Sequence, residues 1–592
     1  MKLSDYVVEF IARQGVNHVF ELIGGAITHL IDSMHHRDDM ECVSVHHEQT
    51  ASFAAEAYAR INGRLGVAMA TSGPGALNMV TGIGSCWFDS VPCLFITGQV
   101  NTYEYKFDRP VRQIGFQETD IVSIVKPITK YAELVTKSVS IRYHLEKAVW
   151  LAQNGRPGPV LLDIPMNIQR SEIDPDKLIG FWGSAEEDIR TDRPILNIES
   201  VKSVATLMKK AQRPIILVGG GVRTSHGTKE LQTLVEQTSI PVVSTLMGLD
   251  AIWHDNLSFF GMIGSYGNRY SNMTLANCDT LLILGARLDS RQTGTRPDTF
   301  ARAATKIHVD IDPHELNAKV RVDHAVNADV KEFLVALNQV LEGVIMSDLV
   351  PWYKVINGYR IKYPTQVNDQ KSSGINPNRI MELLAEQCDV GDVICLDVGQ
   401  NQMWAAQSFR LKKGQRLIIS GGLGAMGFSL PAALGVAKAL PGQRIISLSG
   451  DGGIQINIQD LEVIVSHQLQ VKVFVFNNNC LGMVRQFQDM YFGGRRQSTV
   501  LGYSCPDLVK IAEAYGLPVF TISTFDRAES IIAEAFAIDG PAFIEIKIEQ
   551  NTAVDPKLVV NRPIEDMSPH LDRKELADAM LIGLVDEGEI SL

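Results

Sequence analysis

The sequence predicts an α/β protein built from three doubly wound parallel-sheet domains. The chain has 592 residues, 45% of them hydrophobic, with a mean hydropathy near zero; such a length suits about three or four domains. Short apolar runs alternate with helical stretches, which is typical of parallel sheets covered by helices. We predict domains at 1–182, 193–341 and 377–550, and a C-terminal tail at 551–592.

The three domains follow one another along the chain. The first is expected to begin with an amphipathic helix in MKLSDYVVEFIARQG, with Ser4 at its N-cap, and to end near the strand PVLLDIP. The polar stretch GSAEEDIRTD at 183–192 is predicted to be a linker. PIILVGGG, IPVVST, TLLILGAR and KIHVDID give four strand-and-turn signals in the second domain. The mixed polar segment at 342–376 then leads to the third domain.

One apolar run has the length of a membrane span. Residues 417–437 comprise 21 uncharged residues. Their glycine-rich start and Pro431 instead predict a strand, a glycine loop and a buried helix, so no membrane partner is expected.

Charge and cysteine content restrict the partners and the compartment. The net charge of −12 argues against nucleic acid as a partner. The eight cysteines form no CxxC pair, which indicates reduced thiols. Because no leader is apparent before the first helix, we expect a cytoplasmic protein.

Two polar turns give the strongest functional signal. Asp451 follows the strand-like RIISLS, and Asn478 follows VKVFVF; the 24 residues from Gly453 to Phe476 separate the two turns. Because parallel strands end at the same sheet edge, these turns should lie side by side. Either turn alone would be an ordinary connection, but the pair at this spacing indicates a ligand site.

The residue types fit a magnesium ion bound with a diphosphate. Asp451 supplies an anionic oxygen and Asn478 a neutral one, and the backbone carbonyl of Cys480 could complete the coordination. Gly452 and Gly453 allow backbone N–H groups to approach phosphate oxygens, and helix N-termini after the turns add favourable partial charge.

This pairing resembles the thiamine-diphosphate motif, and other segments are similar to the acetolactate synthase (acetohydroxyacid synthase) family. Near the N-terminus these are His47-Glu48-Gln49, AAEAYAR and TSGPGALNMVTGI. The resemblance covers nearly the whole chain. It implies thiamine diphosphate, Mg²⁺ and FAD as cofactors, with pyrimidine-binding, FAD-binding and diphosphate-binding domains in that order.

The resemblance makes Glu48 the carboxylate that hydrogen-bonds N1′ of the thiamine pyrimidine. A single glutamate is usually a solvated surface charge. Here Glu48 follows the apolar CVSV and begins the small-residue run TASFAAEA, a pattern that predicts a buried junction between strand and helix.

Further cofactor positions are implied by the resemblance. Glycine turns after strands occur in any doubly wound fold, but the full ordered set favours bound FAD, whose role in this family is largely structural. The thiamine-diphosphate positions, besides those in the two polar turns, are Gly24, Gly25, Val398, Gly399, Gln400, Gly424, Met426 and Met483. The FAD positions are Gly219, Gly220, Thr245, Leu246, Gly261, Met262, Gly285, Arg287, Asp289, Asp310, Ile311, Asp329 and Val330.

Four residues are implied to act in catalysis besides the cofactors, and four to line the substrate pocket. Arg291 would hold the carboxylate of an acceptor 2-keto acid, since a guanidinium pairs with both oxygens; a surface or FAD-stacking arginine is the alternative. Lys130 matches a lysine near the entrance, or is an exposed structural lysine. The catalytic residues are Glu48, Gln117, Arg291 and Lys130, and the pocket residues are Phe116, Met403, Val484 and Phe487.

Several departures from the family pattern fall near the expected reaction centre. Phe487 stands where a tryptophan is usual, Asn401 replaces a histidine, and LIGG replaces YPGG. The segment before Phe116 is about two residues shorter than usual. These changes predict a reshaped acceptor pocket.

The function implied is that of a carboligase, which decarboxylates pyruvate and transfers a two-carbon unit to a second carbonyl compound. Two acceptors remain open: pyruvate or 2-ketobutyrate, and a nucleotide-linked keto sugar as in the branched-sugar (yersiniose-type) subgroup. A pyruvate oxidase and a simple decarboxylase are further alternatives; the histidine pairs here, at 35–36 and 46–47, come too early for the decarboxylase pattern. The family implies a homodimer or homotetramer with sites between subunits. The sequence gives no indication of a regulatory subunit.

Overall fold

A computed structural model describes residues 1–182, 184, 194–365 and 374–585. Three six-stranded sheets, parallel throughout, account for 18 of its 20 strands, and helices flank each sheet. The predicted fold class is therefore confirmed. The linker predicted at 183–192 lies outside the described residues apart from Ser184.

The first sheet has the strand order β2-β1-β3-β4-β6-β5. Every residue of β3, β4 and β6 is buried, as expected for parallel strands covered on both faces. Its strands are β1 His18–Leu22, β2 Glu41–Ser44, β3 Gly66–Ala70, β4 Cys93–Gln99, β5 Tyr131–Leu134 and β6 Val160–Pro165. Its helices are α1 Leu3–Arg13, α2 Thr28–His35, α3 Glu48–Asn62, α4 Pro74–Asn78, α5 Val80–Asp89, α6 Ile121–Val125, α7 Ile141–Gln153 and α8 Met166–Gln169.

The start of α1 differs from the prediction. Lys2 occupies the N-cap position and makes no side-chain cap, and Ser4 lies inside the helix. The Ser4 hydroxyl is buried and accepts a hydrogen bond of 2.8 Å from the Ser33 hydroxyl of α2. The predicted Ser4 cap is therefore wrong, because a tertiary contact between two helices uses that hydroxyl instead.

The second sheet has the order β12-β11-β10-β7-β8-β9. The parallel strands are added outward on one side of β7 and then on the other side, beginning with β10, so the switch point lies between β7 and β10. This is the strand order of dinucleotide-binding doubly wound folds. Its strands are β7 Pro214–Val218, β8 Val242–Ser244, β9 Phe259–Met262, β10 Thr280–Leu284, β11 Thr305–Asp310 and β12 His324–Asn327. Its helices are α9 Ile198–Lys210, α10 Gly220–Thr224, α11 Thr228–Thr238, α12 Arg269–Ala276, α13 Ser290–Thr293 and α14 Val330–Leu341, followed by α15 Val350–Lys362.

The third sheet, β14-β13-β15-β16-β18-β17, repeats the strand order of the first. The apolar run at 417–437 forms most of β14, a glycine loop and most of α18, as predicted. Its strands are β13 Val393–Leu396, β14 Arg416–Ile419, β15 Ile445–Gly450, β16 Val471–Asn477, β17 Val519–Ile522 and β18 Ala542–Lys547. Its helices are α16 Pro377–Gln387, α17 Gln400–Ser408, α18 Ser429–Ala439, α19 Asp451–Ile454, α20 Leu461–Ser466, α21 Gly482–Tyr491, α22 Leu508–Ala514 and α23 Ala528–Ala537.

Each sheet with its flanking helices forms one unit, and the first and third units share a helix interface. The Phe53 ring of α3 meets the Phe428 ring, at the start of α18, edge to face at 5.2 Å between centroids. A side chain at Gly435 would collide with the Ala54 carbonyl oxygen, so this glycine is needed for the close approach of the two helices. This packing brings the glycine loop before α18 against the first unit.

The C-terminal tail wraps over the third and second units. Trp404 donates a hydrogen bond to the Ala553 carbonyl, and Tyr359 of α15 donates one to the Ala579 carbonyl. None of the helices in the described ranges has both the length and the apolar character needed to cross a membrane. The tail elements are β19 Lys557–Leu558, β20 Met567–Ser568 and α24 Arg573–Ala579.

Candidate active site

The two polar turns lie at the carboxyl ends of neighbouring strands. In the parallel pairing of β15 with β16, Gly450 stands opposite Phe476, so Asp451 and Asn478 emerge at the same sheet edge. Strand order reverses at β13 and β15, where open α/β sheets bind ligands. Within this edge, Asn478 Nδ2 donates a hydrogen bond of 3.0 Å to Oε1 of Gln400, the first residue of α17. The sequence prediction that these turns are adjacent is confirmed.

The Asp451 carboxyl group is almost fully buried, at 2% exposure. Burial raises its pKa to about 6, although a hydrogen bond from the Tyr503 hydroxyl and backbone N–H groups, including that of Asn478, partly offset the effect. Tyr503 is 2.8 Å from Oδ2 of Asp451. The aspartate is thus a partly desolvated anion, a state that favours a nearby cation.

Asp397 connects three loops of this site. Its carboxylate accepts hydrogen bonds from the backbone N–H groups of Val398, Gly427 and Ser429. A Cβ atom at Gly453 would lie 2.8 Å from Asp397 Oδ1, so only glycine fits there. Asp397 therefore fixes the Val398-Gly399-Gln400 loop and the glycine loop relative to the Asp451 turn.

The glycine loop reaches the same turn. A Cβ atom at Gly452 would lie 3.4 Å from the Met426 methyl group, which places Met426 next to the Asp451 turn. Gly424 is exposed, with a φ of +69° that glycine adopts readily. Met483 is partly buried and is the second residue of α21, and the Cys480 N–H donates to Asn478 Oδ1.

Glu48 is the first residue of α3 and is 6% exposed, as the sequence predicted for a buried strand-to-helix junction. Its Oε2 accepts a hydrogen bond of 2.9 Å from Asn78 Nδ2. Within the described residues, its side chain forms no hydrogen bond with the third unit. Gly24 and Gly25 follow β1, and Gly24 packs against Thr71 after β3, so these loops share the switch-point edge of the first sheet.

Phe116 and Gln117 lie on a tightly held loop of the first unit. Glu118 is buried and accepts hydrogen bonds from the backbone N–H groups of Lys106, Ile114 and Gly115. Gln117 adopts a left-handed φ of +63°, which is strained for a residue with a side chain. Phe116 is 84% exposed. The loop thus presents an aromatic ring and an amide on the surface of one chain.

Lys130 is tied to the backbone in this structure. Its Nζ donates hydrogen bonds of 2.6 and 2.7 Å to the carbonyls of Asn154 and Arg156, and burial lowers its pKa to about 8. These contacts give Lys130 a role in holding the 154–156 turn. A catalytic role for Lys130 stays a prediction.

A cavity of about 1150 Å³ lies where the three units meet. It opens at the switch point of the second sheet, beside the turns that follow β7 and β10. Gly219 and Gly261 do not line it; a side chain at Gly219 would collide with the Gly285 carbonyl, so that glycine serves the packing of the two turns. The predicted FAD positions in its lining are Gly220, Thr245, Leu246, Met262, Gly285, Arg287, Asp289, Asp310, Ile311, Asp329 and Val330.

Residues predicted for other roles also line this cavity. Arg291 lies there beside Tyr266, and Val398, Met403 and Gly424 line the side formed by the third unit. Val484 and Phe487 lie on α21 and are 51% and 42% exposed. Most of the predicted flavin turns, Arg291 and the glycine loop therefore line the same cavity.

Comparison with known proteins gives matches along nearly the whole chain. Three family models match: the N-terminal TPP binding domain of thiamine pyrophosphate enzymes at 1–124, their central domain at 201–337 and their C-terminal TPP binding domain at 397–546. The chain is 35% identical to the acetolactate synthase large subunit of Porphyra purpurea, covering 92% of this chain and 91% of the relative.

Two microbial proteins are similar to the same degree. Acetolactate synthase isozyme 3 large subunit of Escherichia coli K12 is 34% identical over 95% of this chain and 98% of its own. The probable acetolactate synthase large subunit of Methanocaldococcus jannaschii is 36% identical over 94% and 93%. The chain belongs to the acetolactate synthase family of thiamine-pyrophosphate enzymes. As a member of that family it is a thiamine-diphosphate-dependent enzyme that forms carbon–carbon bonds.

Sequence reasoning did not identify several residues that shape this acetolactate synthase-family site. Asp397 directly follows the apolar strand β13 and precedes Val398, a position that could have marked it. Arg156, from the first unit, lines the central cavity and pairs with Asp312 and Glu315 at 3.0 and 2.9 Å. No local pattern marks Arg156, because its partners lie more than 150 residues away in the chain.

Proposed function

We propose that this acetolactate synthase-family enzyme decarboxylates pyruvate and transfers the two-carbon unit to a second carbonyl compound. The observation that carries the proposal is the environment of Glu48. Its carboxylate is buried at a helix start and oriented by Asn78, and its Oε1 accepts no hydrogen bond from the described residues. A carboxylate held in this way can accept a hydrogen bond from a ring nitrogen and shift its tautomer.

Thiamine diphosphate, when bound, supplies the carbon nucleophile and the electron sink for decarboxylation. Glu48 would hold the pyrimidine N1′ atom, and the exposed Gly424 would offer its carbonyl to the 4′-amino group. Met426, beside the Asp451 turn, would supply an apolar support for the cofactor.

The Asp451 turn fits a magnesium ion that is bound together with the diphosphate. The described residues contain no group of three His, Cys, Asp or Glu side chains that could hold a metal. Mg²⁺ commonly takes one or two protein carboxylates and completes its shell with phosphate oxygens and water. Asp451, Asn478 and the Cys480 carbonyl would be the protein ligands, and Gly452 would leave room for phosphate oxygens.

The central cavity fits FAD. It lies at the switch point of a sheet with the strand order typical of dinucleotide-binding folds. Arg287 and Lys331 line it and are suited to a diphosphate, because arginine and lysine donate charge-assisted hydrogen bonds to phosphate. The flavin would have a largely structural role.

A second copy of the chain would complete the site. Within the described residues Glu48 makes no hydrogen bond to the third unit, and Leu77, next to Asn78 in α4, is 44% exposed. Phe116 is more exposed still. We therefore propose a homodimer or homotetramer in which Glu48 and Gln117 of one subunit face the Asp451 turn of another. Because the relatives are named large subunits, a smaller regulatory subunit is included in the proposal.

The acceptor in this proposal is pyruvate or 2-ketobutyrate, with Arg291 holding its carboxylate. A nucleotide-linked keto sugar is the second candidate. It is favoured by one observation: Phe487, smaller than the usual tryptophan, is 42% exposed on α21, which would leave room for a larger acceptor.

The Glu48→Gln variant tests the proposal. Purified protein with thiamine diphosphate, Mg²⁺ and FAD is supplied with pyruvate, and CO₂ and acetolactate are followed together. We expect the wild type to release CO₂ and the variant to lose at least about a hundredfold in rate, the usual scale of general acid–base catalysis. The exposed Glu172→Gln should behave as wild type.

Each other outcome has a defined meaning. Full activity in a folded Glu48→Gln variant would refute the role of Glu48. CO₂ release with flavin reduction and oxygen or quinone consumption would identify an oxidase, and release of acetaldehyde would identify a simple decarboxylase. Acetolactate equal to half the pyruvate consumed would establish pyruvate as the acceptor.

A further inference from the structure

Lys557, in the C-terminal tail, has a buried ammonium group without a hydrogen-bond partner. The residue is 5% exposed, and no described residue accepts a hydrogen bond from its Nζ atom. Three rings surround this atom: the centroids of Tyr266, Phe487 and Tyr491 are 5.6, 5.4 and 5.7 Å away. Aromatic faces attract a cation, but they leave the three N–H donors without strong acceptors.

Arg291 places a second cation at the same ring. Its Cζ atom lies 6.0 Å from the Tyr266 centroid, and its exposed guanidinium forms no ion pair within the described residues. Two backbone hydrogen bonds of 2.7 Å fix the segments relative to each other, from Ser265 N–H to the Arg291 carbonyl and from Leu558 N–H to the Ser265 carbonyl. Lys557 and Arg291 therefore flank Tyr266 in a fixed arrangement.

The positive charge of Lys557 is not neutralised by a paired carboxylate within the described residues. Burial lowers the pKa of Lys557, and Arg291 lowers it further by repulsion, while Asp555 only partly offsets both effects. Asp555 lies two residues away and forms no ion pair with Lys557 in the described structure. A buried ammonium that lies near a second cation and has no paired carboxylate is costly unless an anion binds beside it.

The cluster lies between helix α21 and the lining of the central cavity. Phe487 and Tyr491 belong to α21, the helix that begins just after the Asn478 turn. Phe487 is the most exposed of these three aromatic residues. Tyr266 and Arg291 line the central cavity.

We propose that Lys557 and Arg291 form a two-cation subsite that admits a further class of acceptor, a keto compound carrying a phosphate ester. The inference rests on the proposed carboligase function and adds this class to the acceptors named for it. One guanidinium satisfies the single carboxylate of pyruvate, whereas a phosphate dianion offers three oxygens and a second charge to the second cation.

A matched pair of acceptors tests the subsite. The holoenzyme is given pyruvate as donor with either dihydroxyacetone phosphate or dihydroxyacetone, which differ only in the phosphate. We expect wild type to prefer the phosphorylated ketone at least about tenfold in kcat/KM. In Lys557→Met this preference should fall by about tenfold, mainly through KM, which is the scale of one hydrogen bond to a charged group. Lys557→Arg should restore much of it.

The control is Lys413→Met. Lys413 also lies over an aromatic ring, 5.1 Å from the Trp253 centroid, but outside this cluster, so its loss should leave the preference intact. A wild type that neither uses dihydroxyacetone phosphate nor is inhibited by it would overturn the subsite, as would an unchanged preference in Lys557→Met. Absence of CO₂ release from pyruvate by wild type would instead refute the proposed function.

Discussion

Asp89 Oδ1, in the first unit, accepts a hydrogen bond of 2.7 Å from the Gly422 backbone N–H in the third unit. Its Oδ2 accepts a second bond of 3.0 Å from the Gly421 N–H. One carboxylate thus holds the loop that carries Gly424 and Met426. The position of the proposed thiamine contacts depends on a residue that comes about 330 residues earlier in the chain.

Asp89→Asn should loosen this loop. Asparagine keeps one acceptor oxygen and turns an N–H₂ group towards a backbone donor, so one buried N–H of the loop loses its partner. We expect the loss of this hydrogen bond to cost about 1–3 kcal/mol. In titrations, thiamine diphosphate and flavin should therefore bind at least about tenfold more weakly than to wild type. Asp255→Asn, at an exposed position, is the control. Unchanged binding of both cofactors would show that Asp89 does not position the loop.

Glu56→Gln should change how stability depends on pH. Burial, and then the nearby Asp89, raise the pKa of Glu56 to about 8 from its ordinary 4.5. A group with a raised pKa contributes stability that is fully present below pH 4.5 and is lost as the pH rises towards 8. Glutamine cannot ionise, so the variant should gain stability relative to wild type with rising pH, at most about 1.4 kcal/mol per pH unit.

Thermal unfolding of wild type and Glu56→Gln at pH 5.5 and pH 8 measures this effect. The difference in midpoint between the two proteins should favour the variant more strongly at pH 8. Glu172→Gln, whose side chain is 82% exposed, should show no such trend. Equal differences at both pH values would contradict a raised pKa at Glu56.

Gly453→Ala should disrupt the diphosphate turn. The new Cβ atom would lie 2.8 Å from Asp397 Oδ1 and 3.0 Å from Ser449 Oγ, so Asp397 would have to move. We expect about 1–3 kcal/mol of strain, with a corresponding loss of thiamine diphosphate and Mg²⁺ affinity by calorimetric titration. In contrast, Gly358→Ala in α15 meets no atom within 4 Å and should add up to about 1 kcal/mol of stability. Normal cofactor affinity in Gly453→Ala would refute the tight fit.

Local patterns were sufficient to predict much of the site. Asp451 and Asn478 could be placed side by side because each directly follows a strand, and parallel strands end at the same edge. The burial of Glu48 followed from the apolar and small residues on either side of it. Ser4 shows the limit of such local patterns. Its residue type and position suited an N-cap, but its hydroxyl instead accepts a hydrogen bond from Ser33 of α2.

By itself, the sequence determined the three-sheet α/β architecture, the polar turns and the buried glutamate, because strand periodicity and turn chemistry depend on neighbours along the chain. Only the tertiary structure decided that Asp89 holds the glycine loop, that Lys130 ties down a turn and that Lys557 joins Arg291 around Tyr266. These contacts join residues far apart in the chain, and they exist only because the packing of three sheets and a tail brings them together. No local sequence pattern predicts contacts between residues so far apart in the chain.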